Sequence, residues 1–201
     1  MNTYIGISGN ICTGKTSMLE FIKKTYPIKP CYENDKFNPY LKQFYQNMNL
    51  YAFHSQIFYL IQKLNIYSKN TNKIIVIDRT IYEDAEIFAT NLFKYKYISK
   101  KEFAIYWNLY QNIIQLISKP AKLLYLKCSI ETIKNRIKKR SIKNHINISS
   151  SYLNDLQILY SNWINTFDKN AVITINTDKL NYLNINQDRE KLKKQLAKLF
   201  V

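Results

Sequence analysis

Gly9-Asn10-Ile11-Cys12-Thr13-Gly14-Lys15-Thr16 stands between the apolar run Tyr4 to Ser8 and a stretch of helical periodicity that begins at Lys15. The octapeptide matches G-x-x-x-x-G-K-[ST] in the strand-to-helix context that a phosphate-binding loop requires. In such a loop backbone N–H groups point inward at phosphate oxygens, and the following helix adds the positive end of its dipole. Lys15 supplies a cation to the phosphates, and Thr16, followed by Ser17, offers a hydroxyl to Mg²⁺. The chain holds three glycines, all between Gly6 and Gly14. The backbone freedom that glycine confers is therefore concentrated where a ligand must be closely approached.

Outward from the loop, the apolar runs Tyr4 to Ser8, Ile74 to Ile77, Leu123 to Leu126 and Val172 to Ile175 are rich in β-branched residues. They alternate with long helical patterns, which is the signature of βαβ units and a parallel sheet. Pro30 to Tyr32 is a fifth, shorter strand candidate. Helices are expected at Lys15 to Lys24, Tyr51 to Ser68, Ile81 to Phe93, Lys100 to Ile117, Ile130 to Arg140, Ser151 to Phe167 and Arg189 to Leu199. Ser99 with Glu102, Ser129 with Thr132, and the run Ser149 to Ser151 are start signals, and Pro120 closes the fourth helix. Ser141 to Ser150 lacks apolar periodicity and reads as a loop with the character of a lid. The expected fold is one α/β domain over residues 1–201, with a central parallel sheet of about five strands and a short lid at about 136–150.

At 201 residues the chain can enclose a hydrophobic core without disulfides or a structural metal. The longest apolar runs fall far short of the roughly 20 residues that cross a bilayer. Cys12, Cys31 and Cys128 are odd in number and widely spaced, with two histidines for company, which suggests neither a disulfide framework nor a zinc site. The first apolar run leads straight into the loop, leaving no room for a signal peptide before it, so the cytoplasm is expected. The net charge of +16 raises the question of nucleic acid. Yet the lysines are scattered, and the arginines are only Arg79, Arg136, Arg140 and Arg189. Weak attraction to anionic substrates follows, with neither a nucleic-acid nor a membrane partner.

The third strand ends in Ile77-Asp78-Arg79-Thr80 and runs on through Ile81-Tyr82-Glu83-Asp84, placing an acid and a base at the carboxyl edge of the sheet, where ligands of such sheets bind. Arg136 and Arg140 lie one helical turn apart and suit planar phosphate contacts. Gln56 can share a helix face with Phe53 and offers an amide that both donates and accepts. Phe53, like Tyr51, reads equally well as a ligand wall or as ordinary core.

In this order, Gly9 to Ser17, Tyr32-Glu33, Tyr51-Ala52-Phe53 with Gln56, Asp78 to Asp84 and Arg136 to Arg140 resemble the deoxynucleoside kinases over nearly the whole chain, and most of all their bacterial deoxyadenosine/deoxyguanosine branch. The resemblance implies phosphoryl transfer from ATP to the 5'-hydroxyl of a deoxynucleoside by a helix-packed homodimer. It implies Glu33 as general base, Arg79 beside the hydroxyl and Lys15 on the phosphates. Asp78 would hold Mg²⁺ with Thr16. Gln56 would read the base, Tyr45 the sugar 3'-hydroxyl, and Phe53, Lys63 and Asp84 would complete the substrate site. Asp178, beyond the last strand, falls where donor adenine passes in relatives and where an ordinary turn aspartate also fits. Ser141-Ile142 stand in place of the relatives' Gly-Arg, and Lys63 in place of an arginine. Two rivals are a thymidylate-type monophosphate kinase, which would want cations where Glu33 stands, and a nucleotide-binding subunit without turnover.

Overall fold

The computed structural model describes residues 4–33, 37–67, 72–144 and 148–200, with the backbone alone for 140–144. The strands β1 (Tyr4–Ser8), β2 (Ile28–Cys31), β3 (Ile74–Asp78), β4 (Lys122–Lys127) and β5 (Val172–Asn176) form one parallel sheet in the order β2-β3-β1-β4-β5. The register sets Ile7 beside Asp78, Ser8 beside Tyr125 and Cys31 beside Ile77. Gly9, Arg79 and the residues after Cys31 therefore leave the sheet at the same edge. The chain adds strands on one side of β1 and then on the other, so this edge is the topological switch point where open α/β sheets bind ligands.

Alternation along β4 divides the core. Leu124 and Leu126 pack with Ile5, Ile7, Val76 and Ile175 against α1 (Lys15–Thr25) and α9 (Asn186–Leu196). Leu123 and Tyr125 face the opposite side, where α3 (Met48–Tyr67), α6 (Lys100–Gln115) and α8 (Ser150–Ile164) supply Leu60, Tyr106, Tyr110, Leu156 and Tyr160. Burying each such side chain contributes about 1.5–3 kcal/mol, which is what holds two layers of helix on one sheet.

The strands match the sequence-based expectation within two residues. β2 begins at Ile28, and Pro30 is tolerated because this strand is the sheet edge. The helix starts at Ser99 and Ser149 also hold, Ser99 in a full capping box with Glu102. The helices differ from the expectation at several points. The short helix α2 (Leu41–Gln46) was not expected, and α3 starts at Met48 rather than Tyr51. α6 stops at Gln115, before Pro120 can end it. The expected helix from Ile81 is three pieces: α4 (Ile81–Glu83), a π-helical segment Asp84–Ala89, and α5 (Thr90–Lys94). Finally, α7 (Ile130–Asn144) runs through four residues expected in the lid loop, since Ser141 to Asn144 contain no glycine or proline to break it. His145 lies outside the described residues.

Candidate active site

The phosphate loop is shaped by close contacts of its backbone. Gly9 has φ +149°, and a Cβ there would lie 2.5 Å from the Leu126 carbonyl oxygen. Gly14 caps α1 at φ +100°, in the left-handed region where a side chain is strained. Asn10 anchors the loop from outside, its amide nitrogen donating to the Leu153 carbonyl at 3.1 Å and to Gln157 at 3.2 Å. On the other flank Arg136 donates to the carbonyls of Cys12 (3.3 Å), Thr13 (3.2 Å) and Thr177 (2.6 Å). The Lys15 ammonium sits on the Gly9 and Asn10 carbonyls at 2.9 and 3.0 Å. Burial, followed by the nearby Arg79, lowers its pKa.

At the carboxyl end of β3 the Asp78 Oδ2 accepts from the Thr16 hydroxyl at 2.7 Å. Its Oδ1 is buried and has no hydrogen-bond partner among the described residues. A hydroxyl beside a carboxylate with unused lone pairs is an oxygen donor set that suits Mg²⁺. Burial raises the pKa of Asp78 against the pull of Lys15. Arg79 follows at φ +62°, a conformation rare outside glycine, and its N–H donates to the Ile7 carbonyl at 3.0 Å. Its Nε meets Glu33 Oε1 at 2.8 Å, Nη1 donates to the Tyr160 hydroxyl at 2.8 Å, and the guanidinium lies 4.1 Å from the Phe88 ring centre. Burial alone would push Glu33 up, but Arg79, Lys63 and Lys15 outweigh it and hold the carboxyl below the ordinary glutamate value.

One cleft brings together Lys15, Thr16, Glu33, Arg79, Gln56 and Asp84, with Tyr45 on its wall. Gln56 is 4% exposed, and its Oε1 has no partner among the described residues; Asp84 Oδ2 is in the same condition. Burial raises Asp84 to about 7, opposed by Lys63.

The deoxynucleoside kinase family profile matches residues 5–201. The chain belongs to the deoxynucleoside kinase family. Its activity is accordingly that of a kinase. A deoxyadenosine/deoxycytidine kinase of Bacillus subtilis (strain 168) is 29% identical over 98% of this chain and 92% of that protein. A deoxyguanosine kinase of Lactobacillus johnsonii is 32% identical over 97% and 91% of the two chains. The solved deoxyadenosine kinase of M. mycoides with bound dCTP superposes with a TM-score of 0.80 at 24% identity, over 97% of this chain and 99% of that one, which shows the shared fold.

Against the deoxynucleoside kinase expectations, some residues sit elsewhere. The fully buried face of α3 carries Ala52, Ser55, Gln56, Leu60 and Lys63, and Phe53, one turn before Gln56, is half-buried at its side. Phe53 flanks that face and packs on the core, outside the cleft wall. Lys63 stands behind the wall, 2% exposed, donating to the Asp78 carbonyl at 3.1 Å. Asp178 accepts from the Ser129 N–H and hydroxyl, each at 2.9 Å, and so holds the residue whose hydroxyl caps α7 by accepting the Thr132 N–H at 3.2 Å. Arg136 clamps the loop carbonyls to the end of β5; the side chain of Arg140 lies outside the described residues.

Two residues in this network were not anticipated. Glu83, fully buried, accepts from Ser8 Oγ (2.7 Å), Thr80 N (2.8 Å), Thr80 Oγ1 (3.2 Å), Tyr160 OH (2.9 Å) and Gly9 N (3.4 Å). Its signal was present, because Thr80-x-x-Glu83 is a capping-box pattern and forms one here. Tyr160, one of 17 tyrosines, carries no such signal.

Proposed function

We propose that this chain transfers the γ-phosphoryl group of ATP to the 5'-hydroxyl of a deoxynucleoside, with deoxyadenosine or deoxyguanosine preferred. The observation that carries the proposal is the Glu33–Arg79 ion pair, 2.8 Å long, on the wall of the cleft that also holds Lys15 and Thr16. A carboxylate facing the phosphate loop suits an acceptor that brings a hydroxyl; an acceptor that brings a second phosphate would be repelled by it. The purine preference is supported by the names of the relatives.

In this reading Gly9 to Ser17 cradle the triphosphate, Lys15 meets its outer phosphates, and Arg79 stabilises charge on the group in transfer. Glu33 orients the hydroxyl and takes its proton. Thr16 and Asp78 would hold Mg²⁺, which when bound neutralises phosphate charge. Arg136 braces the loop and, with Arg140, closes over the donor; Asp178 contributes through the cap that holds α7. Gln56 and Asp84 meet the base edge, Tyr45 meets the sugar, Phe53 backs the base from the core, and Lys63 keeps Asp84 and Glu33 in place. A homodimer is supported by apolar residues left exposed on α3 (Ile61, Leu64), on α6 (Ile105, Leu109) and just beyond α6 (Leu116).

Assays with radiolabelled ATP over the four deoxynucleosides and their monophosphates test the reading, and monophosphates as the better acceptors would overturn it. Glu33→Gln should lower kcat by roughly two to four orders of magnitude, the usual range for a positioned proton acceptor. A dissociative transition state demands little of a base, so the low end is expected. The nucleoside KM should change far less.

A further inference from the structure

We propose that Tyr160 is a positioning residue for phosphoryl transfer, its hydroxyl fixed by Glu83 so that it sets the Arg79 guanidinium against Glu33. The inference rests on the reading of Arg79 and Glu33 given above. Tyr160 is fully buried on α8 and does not line the cleft, so it acts through Arg79 and not on substrate. Its hydroxyl has a defined sense: it accepts from Arg79 Nη1 at 2.8 Å and donates to Glu83 Oε1 at 2.9 Å. Its ring is stacked on Tyr125 of β4, centroids 6.0 Å apart, and meets Phe88 edge-on at 6.3 Å.

The guanidinium is thereby held from three elements: Glu33 beyond β2, Tyr160 on α8 and the Phe88 face on the π-helical segment. Asp84 and Phe88, one turn apart on that segment, both line the cleft wall. An arginine on a left-handed backbone has many side-chain rotamers to lose, and a buried hydroxyl that accepts from one nitrogen removes most of them. The same Glu83 carboxylate receives Ser8 Oγ and the Gly9 N–H, at 2.7 and 3.4 Å. One buried anion thus ties the entry to the phosphate loop to the arginine that acts across from it. A shift of about 1 Å between such groups costs up to about 100-fold in rate.

Tyr160→Phe tests this, because it keeps the ring in its stack and removes only the hydroxyl. The expected result is a kcat lower by about 10- to 100-fold with both KM values within about 3-fold. In an Arg79→Lys background, which lacks Nη1, the same change should cost less than about 3-fold, since the two side chains act as a unit. A kcat within about 3-fold of wild type, or an equal loss in both backgrounds, overturns the proposal. If Tyr160→Phe does not fold, Glu83→Gln replaces it, releasing the hydroxyl from its acceptor, with the same non-additivity expected and the same additive result refuting. A crystal structure of the variant reads positioning without regard to the acceptor. Separation of Arg79 Nε from Glu33 Oε1 beyond about 4 Å supports the proposal, and a retained contact overturns it. Wild-type protein that phosphorylates no deoxynucleoside would refute the functional reading, and the crystallographic arm would still decide what holds Arg79.

Discussion

Replacing Glu83 by Gln changes one carboxylate oxygen into an NH₂ group at nearly constant volume, in a place with no solvent to compensate. Among the described residues, each partner of the two oxygens donates: Ser8 Oγ, Thr80 N and Thr80 Oγ1 to Oε2, Tyr160 OH and Gly9 N to Oε1. Whichever way the amide is turned, its nitrogen meets a backbone N–H, of Thr80 or of Gly9, and hydroxyls that must reverse their present sense to accept from it. The less costly orientation puts nitrogen in the place of Oε1, which loses the Tyr160 bond and opposes the long one from Gly9. The bonds from Ser8 and Thr80 survive but become neutral. A hydrogen bond to a charged group contributes about 1.5–3 kcal/mol and a neutral one about half of that. One lost and three weakened bonds predict a destabilisation of at least about 4 kcal/mol. For a chain of this size that lowers Tm by about 10 °C. Urea denaturation followed by circular dichroism, with calorimetry for Tm, measures it, and the m value should stay unchanged because no surface is newly exposed. A loss under about 1 kcal/mol would refute the reasoning, since it would mean that the carboxylate does not organise these donors.

Lys15→Ala should abolish ATP-dependent turnover, by at least about 100-fold, while circular dichroism and melting remain close to wild type; retained activity in the folded variant contradicts the role. Gln56→Ala should raise the nucleoside KM by roughly 10- to 100-fold and leave that for ATP nearly unchanged, because a buried amide that meets a base edge is lost. Burial holds Asp84 protonated up to about pH 7, whereas an ordinary aspartate titrates at 3.8. Between these values the unfolded chain binds fewer protons than the folded one, so this group makes stability fall as pH rises, by up to about 1.4 kcal/mol per pH unit, and the loss is complete above its folded pKa. Asp84→Asn removes that slope, and urea midpoints for both proteins at about pH 5 and about pH 8 check it, equal slopes counting against the assignment.

Features that depend on neighbours along the chain could be read directly from the residues. The phosphate loop was legible because positive φ and close backbone approach demand glycine, and this chain has glycine almost nowhere else. The strands and the caps at Ser99 and Ser149 were legible because periodicity and hydrogen bonds over three residues are local. Asp78, Arg79 and Glu33 could be named as strand-end residues, but their meeting required the β2-β3-β1 register. Only long-range packing settles that Tyr160 reaches Arg79 across 81 positions, that Lys63 turns behind the cleft wall onto the Asp78 carbonyl, and that Asp178 holds the Ser129 cap of α7. It also decides that Phe53 packs on the core outside the cleft wall, and that the helix after Thr80 widens into a π-turn. Each of these is settled by which donor or apolar surface packing delivers to a buried group that must be satisfied, and a pattern of a few residues carries no record of what arrives from the far side of a core.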